Sequence, residues 1–304
     1  MISSMISPSD LDISAQPAKA NPPRWITARK ASSPEDMAFA AGAALSHMNG
    51  VFALKTTPSG LLRARLALQS AEACVKRAGR PERQAELRDA VHFLRPGDLA
   101  GPAGEAYLTW RRMGEKPVTL ASLRRALPWV LAEDLAEWLN AGRLSGVASP
   151  VAQAAVTLER VLAQRSGDET AALILAETAL AQALRWRHIV PVLSPYLRSK
   201  DLRKSGEDLR LACHQAVTQG ALQAAALAVD LARRGEVLLS LAPKLRAKKS
   251  GDVINLFLNR DAVAPAELAP FMSDRAARRI CDRLVVLGGV RELTGRDTFR
   301  LYGV

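Results

Sequence analysis

The stretch from Asp252 to Val304 constrains this chain most, because its hydrophobic period is helical three times and then becomes that of a strand. A first helix is expected over Asp252–Leu258. A short second one follows Pro265, which suits a first helical turn because it has no N–H to lose. Ser273 is a fitting N-cap for a third, which runs to Leu287 and is ended by Gly288 and Gly289. Val290–Leu293 and Thr298–Tyr302 then read as two strands around Thr294-Gly295-Arg296-Asp297, with glycine where a positive φ falls. Three helices followed by a β-hairpin is the order of a winged helix-turn-helix.

At about 100° per residue, Ala276, Ala277, Ile280, Leu284 and Leu287 share one face of the third helix. Arg275, Arg278 and Asp282 fall opposite, with Arg279 at their flank. A helix with one packing side and one cationic side can enter a major groove, where arginine reaches phosphates and guanine edges. Arg296 at the hairpin tip and Arg300 beyond it stand where a wing would meet the duplex. The plainer reading is a solvated helix, with Arg278 and Asp282 pairing at i,i+4. The segment holds eight arginines against seven acids, so any affinity for DNA must come from where charges sit. The whole chain carries a formal charge of +12, which suits an anionic partner.

Before this segment the pattern is helical for over two hundred residues. Residues 1–30, rich in Ser, Pro and Ala, read as a disordered tail, with Trp25 opening the ordered part or docking the tail. Residues 31–250 read as one α-helical domain and 251–304 as the winged domain. Ser33-Pro34-Glu35-Asp36 has the form of a helix start: cap, proline at N1, then acids at the positive end of the dipole. Helices are expected at 34–48, 60–78, 81–94, 103–113, 119–127, 129–140, 150–165, 168–185, 206–218, 221–234 and 236–247, with the turn-rich Arg95–Gly104 irregular. An irregular bundle fits better than a solenoid, since no period recurs. The boundary is set at the basic run Lys244–Gly251. The run, with Lys248 and Lys249 in it, either is a basic hinge that lies on DNA phosphates or simply solvates a helix end, where cations suit the dipole.

The segments FAAGAALS, LRARLALQSAEACVKRAGR, ELRDAVHFLRPGDLAGPAGEAYLTWRR and KLRAKKSGDVINLFLNRDAVAP, with the end of the chain, resemble a bacterial family catalogued as domain of unknown function 1403. That resemblance runs from about residue 35 onward and implies no activity. The final LGGVRELTGRDTFRLYGV is similar to the winged-helix ends of some Fic-domain and related DNA-binding proteins. Glu292, Thr294, Gly295, Arg296 and Arg300 stand on the matching positions. The Fic His-Pro-Phe motif is missing from the sequence, so nucleotidyl transfer is not implied.

Chemistry is sparse. Three distant cysteines, Cys74, Cys213 and Cys281, are no disulfide framework and suit a reducing cytoplasm, with Cys281 a buried structural thiol. No His or Cys pairing has metal-ligand spacing, and no phosphate-loop or nucleophile-elbow motif occurs, so neither metal nor cofactor is expected. Asp89 and His92, at i,i+3, are either an oriented general base or a structural pair holding the Arg95–Gly104 loop. Trp110-Arg111-Arg112 and Trp186-Arg187-His188 are either a stacking surface or, since aromatics are scarce, buried rings with snorkelling cations. No run reaches membrane-spanning length, and the amino end lacks the order of a signal peptide.

The expectation is a non-enzymatic, mostly helical cytoplasmic protein binding double-stranded DNA through Arg275, Arg278, Arg279, Arg296, Arg300, Lys248 and Lys249. It would serve as a regulator or a factor of plasmid or chromosome maintenance. The alternative is an adaptor whose winged unit binds a protein partner, as in chromosome-organising accessory subunits, with a homodimer as one form of partner.

Overall fold

A computed structural model describes residues 21–27, 33–54, 56–95, 97–245, 249–296 and 298–304. The protein is all-α in class, with one two-stranded antiparallel sheet among the described residues. Among the described residues nine helices come first: α1 (Arg24–Thr27), α2 (Pro34–Phe52), α3 (Ser59–Arg77), α4 (Gln84–His92), α5 (Gly101–Glu115), α6 (Leu120–Ala126), α7 (Ala132–Leu144), α8 (Pro150–Gln164) and α9 (Glu169–Ala183). After a buried irregular segment come α10 (Gly206–Ser240), α11 (Ser250–Phe257), α12 (Asp274–Val286), β1 (Arg291–Glu292) and β2 (Tyr302–Gly303). No described helix is long and apolar enough to cross a membrane.

Several starts are where the sequence puts them. The Ser33 hydroxyl accepts from the Asp36 N–H at 3.1 Å, with Pro34 at N1. Asp168 caps α9 through the Ala171 N–H at 3.1 Å. Within the expected 1–30 tail, Arg24–Thr27 is helical. Ile26 is buried, and Trp25 lies 5.6 Å from the Phe39 ring. Residues 1–20 and 28–30 of that region lie outside the described residues.

The largest departure is α10. The three helices expected at 206–218, 221–234 and 236–247 are one rod of 35 residues up to Ser240. Gly220 and Gly235 read as breaks, but both lie within the helix. A Cβ on Gly220 would stand 2.1 Å from the Val192 carbonyl oxygen, and one on Gly235 3.3 Å from Leu258. These glycines let neighbouring chain come close; they do not stop the helix. α10 packs along α2 and also meets α8 and α3.

The segment between α9 and α10 buries Ile189, Val192, Leu193, Ser194 and Leu197 without regular structure, so its backbone groups need other partners. Glu177 on α9, 1% exposed, accepts from the N–H groups of Leu193 and Ser194, both at 2.8 Å. Arg77 on α3 donates to the carbonyls of Ser194 and Leu197 at 2.7 and 2.9 Å. Burial pushes the Glu177 carboxyl up to about 7, against the pull of those N–H donors.

The three cysteines are free and buried. Trp110 is buried and its indole N–H donates to Cys74 Sγ at 3.3 Å, while Arg111 lies 5.9 Å from the Tyr107 ring centre. The ring is therefore a core element, and not part of a stacking surface. The hydrophobic core is a single cluster running from Ile26 to Val304, so α11, α12 and the hairpin share it with the body.

Candidate nucleic-acid interface

The carboxyl-terminal unit is built from α11, a 3-10 turn (Pro265–Leu268), α12 and the hairpin. Val253, Ile254 and Phe257 of α11 are buried, as are Leu268 and, on α12, Ala277, Ile280, Cys281 and Leu284. Ser273 is the N-cap residue of α12 but its hydroxyl bonds no helical N–H. Val263 pairs with Tyr302 through two hydrogen bonds of 2.8 and 2.9 Å, adding a third piece of extended chain beside β2. The expected second strand, Thr298–Tyr302, is replaced by the shorter and later Tyr302–Gly303. Phe299 has φ 56° and turns out of the ladder, and its ring meets Phe93 edge-on at 5.9 Å. Gly295 has the positive φ that the turn requires, at 63°.

Asp261 joins this unit to the body. It is 3% exposed and sits between Arg65 on α3 at 2.7 Å and Arg88 on α4 at 2.5 Å. The Leu61 N–H donates to the Leu258 carbonyl at 3.1 Å, and Arg65 donates to the Val304 carbonyl at 2.9 Å. Asp89 and His92 do not pair with each other. Asp89 bonds Arg296 at the hairpin tip, while His92 Nδ1 stands 3.4 Å from Glu267. One turn of α4 thus holds two parts of the carboxyl-terminal unit. Burial and the nearby Arg111 lower His92 to about 4. At neutral pH its contact with Glu267 is therefore a neutral imidazole facing a carboxylate rather than an ion pair.

A groove of about 1130 Å³ lies between the 3-10 turn Ala242–Leu245 and α12. Lys244, Lys249, Arg275, Arg279 and Arg283 line it, over a floor of Phe271, Met272 and Ile280. No acidic side chain is among its lining residues, and the three arginines have no acidic partner among the described residues. Lys249 Nζ sits 5.8 Å from the Phe271 ring centre and 3.5 Å from the Pro270 carbonyl oxygen.

Of the residues expected from the sequence, the structure brings Arg275, Arg279 and Lys249 to this groove. Arg278 is turned to Asp274 at 2.9 Å, and not to Asp282, which instead accepts from the Tyr302 hydroxyl at 3.1 Å. Arg296 reaches back to Asp89 and lies 5.7 Å from the Phe93 ring centre, so the tip faces the body. Arg300 donates to the Arg296 carbonyl at 2.9 Å and stands 4.0 Å from Asp282. Lys248 lies outside the described residues. The site residues expected from the sequence left out Lys244, although it opens the basic run, and Arg283. The signal for Arg283 was present, since Arg275, Arg279 and Arg283 recur every fourth residue along one stripe. For Lys244 the signal was only the charge of the run, because its place beside α12 depends on the path between α10 and α11.

Among the described residues no cluster of three or more His, Cys, Asp or Glu side chains could hold a metal ion. No curated protein matches the chain. The chain belongs to the family described as protein of unknown function (DUF1403), whose model matches residues 11–304.

Proposed function

We propose that this member of the family is a non-enzymatic DNA-binding protein whose carboxyl-terminal unit is a winged helix-turn-helix. In this reading α12 is the helix presented to the duplex, and the stripe Arg275–Arg279–Arg283 with Lys244 and Lys249 is the contact surface. The observation that carries it is the groove's charge: five cations line it and no acid does. Such a surface releases counterions from a polyanion, which favours association whatever the base sequence. Successive arginines of the stripe are spaced by about 6 Å of helix rise, so several can act along one backbone. The helix–turn–helix–hairpin order and the bridge from Val263 support the winged reading. A regulator, or a factor of plasmid or chromosome maintenance, would use such a unit.

One observation favours a second reading, an adaptor binding an acidic protein partner. The hairpin tip is held on α4 by Arg296 and Phe299 and is not turned outward to a second stretch of DNA. A mobility-shift series on a mixed-sequence duplex between about 50 and 200 mM salt separates the two. Five phosphate contacts give a slope of log K against log salt near −4 to −5. The triple change of Arg275, Arg279 and Arg283 to Ala should remove about three from that slope, whereas Arg278→Ala, already paired with Asp274, should change it by less than about one. Binding that the triple variant leaves intact would favour the adaptor.

A further inference from the structure

A second cavity, of about 790 Å³, lies where the carboxyl-terminal unit meets the body, walled by α3, α4, α5 and the chain from Asn259 to Glu267. Its volume is within the usual range for small-molecule sites, roughly 300–1,000 Å³. Its acids are all engaged. Glu115 is 3.6 Å from Arg111, Glu267 bonds Arg260, and Asp261 is held from behind by Arg65 and Arg88. Arg63 is different. Its Nε is buried with no hydrogen-bond partner, and no acid pairs with it among the described residues. Burial, and after it the positive field of Arg187, weakens the hold of Arg63 on its proton. Two neutral polar groups flank the space. The His92 imidazole is mostly buried, and the Tyr107 ring is 1% exposed, with burial pushing its hydroxyl above the ordinary range. A guanidinium without an anion, in a wall that also holds the His92 imidazole and Tyr107, is the chemistry that receives a carboxylate or phosphate.

We propose that this cavity binds a small organic anion, with its carboxylate or phosphate on Arg63 and its remaining polar atoms within reach of Tyr107 and His92. Both the body and the carboxyl-terminal unit form the walls, so an occupant would touch the two at once. The site is separate from the α12 groove and does not depend on DNA binding.

The full chain, labelled with carbon-13 in its histidine rings, is titrated with inorganic phosphate and, separately, with citrate, against sodium chloride of matched ionic strength. The four histidines give a simple spectrum, in which His92 is the signal missing from His92→Gln. The expected result is a saturable shift of that signal at anion concentrations of about 1–10 mM. Arg63→Gln should raise the half-saturation point about tenfold or more, while Arg279→Gln in the groove leaves it unchanged. If Arg63→Gln fails to fold, Tyr107→Phe carries the same test, with a weakening of about threefold or more. A His92 signal unmoved by about 50 mM of either anion overturns the proposal, as does a shift matched by chloride or one insensitive to the substitutions.

Discussion

Removing the Asp261 carboxylate would strand two guanidinium groups at once. The Arg65 and Arg88 side chains are 14% and 9% exposed, so neither can turn fully to water. Asp261→Ala should therefore lower stability by about 3–5 kcal/mol in urea denaturation, and a loss under about 1 kcal/mol would show that water replaces the carboxylate. The sequence could not reveal this. Asp261 sits in a loop-like NRDAVAP stretch, and its partners lie nearly two hundred residues earlier. The same holds for Glu177, which falls inside an apolar helical run and reads as a surface acid. Its carboxyl is raised from 4.5 to about 7 in the fold, so the folded protein holds that proton more tightly than the unfolded chain does. Stability from this group is full below pH 4.5 and is lost as pH rises towards 7. His92 acts in the other sense. Lowered from 6.5 to about 4, it contributes stability that is lost as pH falls through that window. Because the two groups oppose each other, the slope of the denaturant midpoint against pH between 4.5 and 7 should be more positive in Glu177→Gln than in the wild type. Equal slopes would mean that the carboxylate stays ionised on its two N–H donors.

At the scale of elements, α12 was legible because one residue period decides it: Ala277, Ile280 and Leu284 recur at helical spacing and all three are buried. α10 was not, because glycine has two meanings that a sequence alone does not separate. Most glycines near a helix end terminate it, yet Gly220 is there because the Val192 backbone presses on the helix. Alanine scanning should display both meanings. Gly42→Ala on α2, with nothing within 4 Å of the added carbon, should stabilise by about 0.5–1 kcal/mol through helix propensity. Gly220→Ala should destabilise by about 1–3 kcal/mol or more despite the same propensity gain, because its Cβ would overlap a carbonyl. Thermal melts of the two variants give opposite signs if this is right. The hairpin was legible in kind but not in length, since Phe299 leaves the ladder for Phe93, an interaction outside the strand's own pattern.

For the whole molecule, the division at residue 250 rests on a change of charge and pattern, whereas the core and the Asp261 ion pairs continue across it. All five tryptophans, from Trp25 to Trp186, lie in the body, so their fluorescence follows the body alone. Hydrogen exchange of the α12 amides follows the other unit. The two should report the same unfolding midpoint in urea, and a lower midpoint for α12 would mean that the carboxyl-terminal unit opens first. The long α10 also decides where the chain can tolerate a change of length. Its far end, at Leu238 and the following Leu241, packs within reach of Gly289, while the rod also lies along α2. One residue inserted between those contacts would advance everything after it by about 1.5 Å and rotate it by about 100°. Asp261 would then point away from Arg65 and Arg88. Even seven residues, which restore the phase, would carry the unit about 10 Å past its seat. Length variation among relatives should therefore fall in the turns, such as that at 97–100, and avoid α10, whose residue count sets the alignment of the two ends of the protein.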